Sequence, residues 1–186
     1  MKNLRLNYDV LIKISRSLSK SKDPEEIIRL TVDSLKSSLD IKGCALFLIN
    51  HQTKELEVAA STGLSEEYLS KGPVSAARSI ADSLEDGPIA VYDVSDDPRI
   101  QYPEAALKEG IASILSVPIH VHDRVIGALR VYTSEPWEFT MEDVNFVQAV
   151  AQITGMAIDL CRLNKGYKYS IEVLKTMRDP KYLKAV

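Results

Sequence analysis

Apolar residues change their period several times along this chain, and each change marks an element. Leu4, Leu11 and Leu18 recur every seven residues with Ile14 between them, which is one stripe of an amphipathic helix. Asp23-Pro24-Glu25-Glu26 opens a second helix: Asp23 is placed to cap free amides, Pro24 suits the first helical position, and Glu26 is placed to reach back. Ile27, Ile28, Thr31, Leu35 and Leu39 form its buried face. Cys44 to Ile49 is continuously apolar, and beyond the polar turn Asn50 to Lys54 the residues Leu56, Val58 and Ala60 alternate with outward positions, predicting a β-hairpin ended by Gly63.

Short helices are predicted over Ser65 to Lys71 and Ser75 to Leu84, the second stopped by Asp86-Gly87-Pro88. A third strand over Pro88 to Val94 and a short helix near Glu104 to Glu109 follow. Gly110 to Tyr132, GIASILSVPIHVHDRVIGALRVY, reads as two apolar strands meeting at His122-Asp123-Arg124, with Gly127 marking close packing. This order predicts an α+β fold, a mostly antiparallel sheet of five or six strands with helices segregated on one face.

The last helix opens at the capping pair Thr140 and Asp143 and carries two stripes. Val147, Val150, Ala151, Thr154, Ile158 and Cys161 form one, expected to pack on the sheet. Phe146, Ile153, Met156, Leu160, Leu163 and Tyr167 form the other, and Ile153, Leu160, Tyr167 and Leu174 continue at seven-residue intervals across Gly166. Two partners suit that second stripe: a second copy of the chain, or the N-terminal helices of the same chain. We read it as a dimer seam formed by Leu4, Leu11, Leu18, Ile153, Met156, Leu160, Leu163 and Tyr167, because the repeat outruns a compact domain. The expected organisation is an amphipathic helix over residues 1–22, one domain over 23–164 and a helical extension over 165–186.

Composition narrows the function classes. With 186 residues, 45% hydrophobic and 26% charged, the chain can bury one substantial core. A formal charge of -3 and the lack of a basic stripe interleaved with aromatics argue against nucleic-acid binding. No apolar run approaches the roughly 20 residues of a membrane span, and the N-terminal segment lacks the pattern of a signal peptide, so a cytoplasmic location without membrane insertion is expected. Cys44 and Cys161 sit in apolar patterns and read as reduced core thiols. His120 and His122 alternate onto one side of a strand, but a solvated hairpin tip explains them better than a metal site. No GxSxG, HExxH, phosphate-binding glycine loop or catalytic carboxylate pair occurs, so no enzymatic activity is expected.

The strand pair of Gly110 to Tyr132, set between the acidic loop DVSDDPR of Asp93 to Arg99 and the capped helix at Thr140, closely resembles the C-terminal half of a GAF domain, a sensing module of signalling proteins. The resemblance extends over about Asp23 to Asn164. It implies a sheet with helices on one face and, on the other, a pocket closed by Ser61 to Leu84 and Asp93 to Ile111. Carried over by position, it places Ser61, Ser75, Ala76, Asp97, Arg99, Tyr102 and Ser113 at a ligand site, with Ser113 facing either the cavity or the backbone. Ser75, at the start of an inserted helix, would offer free amides, and Arg99 a forked contact to an anion. Each has a plainer role: Asp93 and Asp97 as turn formers, Ser75 as a helix cap, Tyr102 as a cover for apolar surface, and Arg99 paired with a carboxylate such as Asp96 or Glu104.

Departures from the family's ligand signatures narrow the field further. Where cyclic-nucleotide-binding members carry an Asn-Lys-x-Phe-Asp-Glu set, this chain has Tyr132-Thr133-Ser134, Phe139 and Glu142-Asp143. The bilin-attaching cysteine has no counterpart between Ser61 and Ile111, and neither Cys44 nor Cys161 is placed for the cavity chemistry of free methionine sulfoxide reductases. The implied function is a homodimeric regulatory module that binds an unidentified small molecule and passes its state through paired helices to a signalling output domain or kinase. The alternative is a dimerisation scaffold whose cavity is filled by its own side chains.

Overall fold

The computed structural model describes residues 8–21, 23–50, 52–75 and 87–177. Leu4, Ala76 and most of the helix expected over Ser75 to Leu84 lie outside them. The elements are α1 (Tyr8–Lys20), α2 (Pro24–Ser38), β1 (Gly43–Ile49), β2 (Glu55–Thr62), α3 (Glu66–Leu69), β3 (Val74–Ser75), β4 (Ile89–Val91), α4 (Pro103–Lys108), β5 (Ser113–Val121), β6 (Arg124–Thr133) and α5 (Met141–Met177). Every strand pair is antiparallel, in the order β3-β2-β1-β6-β5-β4, so the fold is the α+β arrangement expected.

The three central strands, β1, β6 and β5, are mostly apolar because the sheet is covered on both faces, with Arg130 and Ser116 as buried polar exceptions. On one face Cys44, Leu46, Leu115, Val117, Ile119, Leu129 and Val131 meet α2 and α5, and α1 packs on those two helices. On the other, Ala45, Phe47, Ile114, Ala128 and Tyr132 meet Tyr68 of α3, Val74 of β3, Ala106 of α4 and Val94 of the acidic loop. All six residues of the first α5 stripe, Val147, Val150, Ala151, Thr154, Ile158 and Cys161, are buried against the sheet side. Through Ile171 this helix is long and apolar enough to span a membrane, but that stripe accounts for much of its apolar content.

Local chemistry fixes these elements. His122 and Asp123 adopt φ of 48° and 59°, the left-handed pair that a two-residue hairpin needs to match strand twist. Thr140 and Asp143 cap α5 reciprocally: the Thr140 amide donates to Asp143 Oδ2 at 2.8 Å, and the Asp143 amide donates to Thr140 Oγ1 at 3.2 Å. Gly127 lets β1 and β6 pair, since a Cβ there would lie 2.0 Å from the Phe47 carbonyl oxygen. Gly155 lets α5 lie close on β5, where a Cβ would come within 2.7 Å of the His120 carbonyl oxygen.

Several expectations change. Asp23 makes no side-chain cap; its carboxylate instead accepts from Lys165 Nζ at 3.1 Å, because α5 runs past the start of α2, and Glu26 accepts from the Ser21 hydroxyl at 2.6 Å. Ser75 does not begin a helix but ends the two-residue strand β3, opposite Glu55. Leu18 is only 2% exposed and, with Ile14 and the flanking Leu11, packs into the chain's own helical-face core, so α1 spends its stripe inside the molecule. Phe146 and the half-buried Ile153 join the same core. Met156, Leu160, Leu163 and Tyr167 of the expected seam stay exposed. Helix α5 continues through Gly166 without a break at residue 164.

Gly127→Ala should cost about 3 kcal/mol, because the added methyl group meets main chain rather than a side chain that can swing away. Denaturant unfolding reads this as a lower midpoint at unchanged slope. A change below about 0.5 kcal/mol would contradict the tight β1–β6 contact.

Candidate functional site

Strand register places a row of residues across the second face of the sheet. Ser61 lies opposite Ala45, Ala45 opposite Arg130, Arg130 opposite Ser116 and Ser116 opposite Ile89. Side chains opposite one another share a face, so Arg130 projects to the side of Phe47 and Tyr132, beneath α3. The shift between Leu46 and Phe47 leaves Ala59 unpaired on β2, and this single extra residue turns Ser61 to the same face.

Arg130 is 6% exposed, and its guanidinium carbon lies 4.9 Å from the centre of the Phe47 ring. Nε donates to Ser116 Oγ at 3.3 Å, while Nη2 is buried and has no hydrogen-bond partner among the described residues. Beside it the fully buried Tyr132 hydroxyl also has no hydrogen-bond partner among the described residues. Tyr68 and Arg130 come near enough to influence that hydroxyl's acidity, but neither meets it in hydrogen-bond geometry. Burial, opposed by the Arg130 charge, pushes the Tyr132 pKa up to about 12. The Tyr68 ring stands edge-on to Tyr132, with centroids 6.0 Å apart, and its hydroxyl is pushed well above the ordinary phenol range by burial.

Lys71 follows α3 and closes this group from above. Its ammonium lies 3.7 Å from the centre of the Tyr68 ring and donates to the Tyr68 carbonyl at 3.0 Å. Burial, reinforced by Arg130 and opposed by Glu109, brings its pKa down to about 8. Glu109 is committed elsewhere: it accepts from the Ser65 amide at 3.0 Å and from the Ser65 hydroxyl, and Lys42 Nζ lies 3.7 Å away. Burial pushes its carboxyl up, but those donors together hold it below the usual range. Among the described residues, no carboxylate pairs with Arg130 or Lys71.

The residues expected at a ligand site fall into three places. Ser61, half-buried, shares the Arg130 row. Asp97 and Arg99 engage each other: Asp97 Oδ1 accepts from the Arg99 amide and Nε, both at 2.9 Å, which holds its carboxyl below the usual range. Arg99 also donates to the Ala90 carbonyl at 3.3 Å, so its partner is Asp97 rather than Asp96 or Glu104, and the pair ties the acidic loop to β4. Tyr102 donates to the Pro73 carbonyl at 2.9 Å and accepts from Gln101 at 3.1 Å, joining the start of α4 to the chain after α3. Ser113 takes the backbone orientation: its hydroxyl donates to the Tyr92 carbonyl and accepts from the Trp137 amide at 2.7 Å. Trp137 belongs to the helical-face core, so this hydroxyl pins the chain before α5.

Sequence reasoning missed Arg130, Lys71, Ser116, Tyr68 and Tyr132. The available clue was an arginine inside the apolar run Val125 to Tyr132, where a strand covered on both faces has no water for a charge. The thiols stand apart from this site. Cys44 faces the helical core, where burial with the Asp33 charge pushes its acidity far out of the reactive range. Among the described residues no cluster of His, Cys, Asp and Glu suits a metal, and His122 Nε2 meets Asp159 Oδ2 at 2.9 Å.

Solved structures with this architecture come from signalling and enzymatic settings. The GAF domain of a phosphoenolpyruvate-protein phosphotransferase from Coxiella burnetii superposes with a TM-score of 0.75 at 22% identity, covering 86% of this chain and 96% of that one. A free methionine-R-sulfoxide reductase from Neisseria meningitidis, in complex with its substrate, gives 0.74 at 19% identity, covering 88% and 99%. A domain of a putative two-component sensor histidine kinase from Sinorhizobium meliloti gives 0.66 at 22% identity, covering 80% and 98%. No curated protein sequence matches the chain. The sequence pattern of the GAF domain matches residues 21–159, most of the chain. With the sheet order and the two-faced core in agreement, this chain belongs to the GAF domain family, whose members are signalling sensor modules.

Proposed function

We propose that this protein is a regulatory sensor that binds a small molecule between the second face of its sheet and the overlying α3 and acidic loop. The observation that carries this reading is the pair of buried polar atoms on that face, Arg130 Nη2 and the Tyr132 hydroxyl, that find no hydrogen-bond partner among the described residues. A cavity filled only by the chain's own apolar side chains would have no use for them, and each costs stability while unpaired. That argues against a scaffold role. The partner of the methionine sulfoxide reductase structure is a substrate, but the deeply buried Cys44 here supports binding without turnover.

Output runs through α5. On the side away from the sheet and along its extension, this helix carries Met156, Leu160, Leu163, Tyr167 and Ile171 exposed, and Leu160 and Tyr167 keep the seven-residue interval. We read these residues as the seam of a homodimer, cytoplasmic and coupled to an output domain or kinase; the similarity of the fold to a domain of a sensor histidine kinase supports a signalling output. Ligand contacts transmit only if they favour one of two packings of α5, because equal affinity for both moves no population.

Two measurements test this reading. Native mass spectrometry after incubation with a small-metabolite extract should show a retained adduct that Arg130→Met loses; an unliganded protein throughout would contradict the sensor. Sedimentation should show a dimer that Leu160→Glu with Tyr167→Glu converts to a folded monomer, since both positions are exposed in one chain. A wild-type monomer at high concentration would remove the seam.

A further inference from the structure

The charge balance of the site names a chemical class, an inference that rests on the sensory reading above. A guanidinium stays protonated at every pH at which proteins are folded, so Arg130 cannot escape its burial by becoming neutral. An uncompensated charge in the middle of a sheet is strongly unfavourable. Lys71 lies close enough for its charge and that of Arg130 to oppose one another. Glu109, the carboxylate whose field reaches Lys71, is engaged by Ser65 and Lys42.

We propose that the second face at Arg130 binds the anionic group of a small molecule, a carboxylate or a phosphate, with Arg130 Nη2, unpartnered among the described residues, as principal donor and the Lys71 ammonium as second positive charge. Ser116 fixes the guanidinium through Nε and leaves Nη2 directed at the guest. The Tyr132 hydroxyl, with no partner of its own, supplies a further donor. Phe47, Ala45 and Ala128 give the apolar floor that keeps water from competing.

Calorimetry and thermal unfolding of the full chain test the proposal with two probes, succinate and inorganic phosphate. Sodium chloride at equal ionic strength and neutral succinamide serve as controls. At least one probe should raise the melting temperature as the logarithm of its concentration while the controls do not, and the stronger probe tells carboxylate from phosphate. Arg130→Met should weaken binding about 30-fold or more and be no less stable than the wild type without anion. Arg130→Lys, which keeps the charge and loses the fork, should fall between the two.

Affinity for succinate should be level from about pH 6.5, where both its carboxyls are ionised, to about pH 7 and decline as the pH rises through 8, since free Lys71 gives up its proton near that pH and must regain it to assist. The groups facing Lys71 do not titrate there: Tyr68 and Tyr132 are raised above that range, Glu109 is lowered, and Arg130 stays charged. Lys71→Met should bind more weakly with a flat profile. Absence of any effect of both probes overturns the proposal. So does a destabilised Arg130→Met that no anion rescues in the wild-type comparison, the behaviour expected if the chain supplies its own counter-charge. If a neutral compound from the extract binds while both anions fail, the sensor survives and the anion does not; if nothing binds, both readings fall.

Discussion

A positive charge that cannot be neutralised sits in the centre of this molecule, in a strand covered on both sides. Arg130 is held by Ser116 and by the face of Phe47, contacts that orient a guanidinium but do not balance it. The organisation of the second face follows from that imbalance. Tyr68 and Tyr132 enclose the group with rings that exclude water, and Lys71 adds charge of the same sign. Apolar residues would be less costly here, and the proposed ligand would give the polar atoms the partner they lack among the described residues.

The opposite face serves another end. There α2 and α5 lie on an apolar sheet surface with α1 packed on both helices, and Gly155 brings α5 close enough for its backbone to approach the β5 edge of the hairpin. The His122–Asp159 contact joins the hairpin tip to the same helix. Strands β5 and β6 therefore have Arg130 and Ser116 on one side and the α5 contact on the other. A change in how the sheet is loaded has a short route to a helix that extends well beyond the domain.

Much of this architecture was legible because period and burial agree. The apolar runs of β5 and β6 were legible as a pair of adjoining strands, and the stripe from Val147 to Cys161 found its place on the sheet as expected. The hairpin turn and the Thr140 cap carried their own chemistry in a few residues. Partner choice was harder to read. A stripe such as Leu11, Ile14 and Leu18 states that a face must be buried without stating against what, and here the answer is α2 and α5 of the same chain. Strand β3 is two residues long and has no period to detect.

The site was the least legible part, for physical reasons. Ser61 reaches the Arg130 face only through the unpaired Ala59, an irregularity that simple alternation cannot anticipate. Positions carried over from the family led to Asp97, Arg99 and Ser113, which secure loops by bonding to each other and to the backbone. Arg130 was visible as a single charge in an apolar run, but its significance depends on which neighbours fail to pair with it. The most direct test is the side-chain nitrogen spectrum of Arg130 in the wild-type protein, assigned by comparison with Arg130→Lys, as succinate or phosphate is added. Separate, slowly exchanging Nη resonances that appear on addition would show an anion restraining the guanidinium; a spectrum unmoved by either anion would contradict the account.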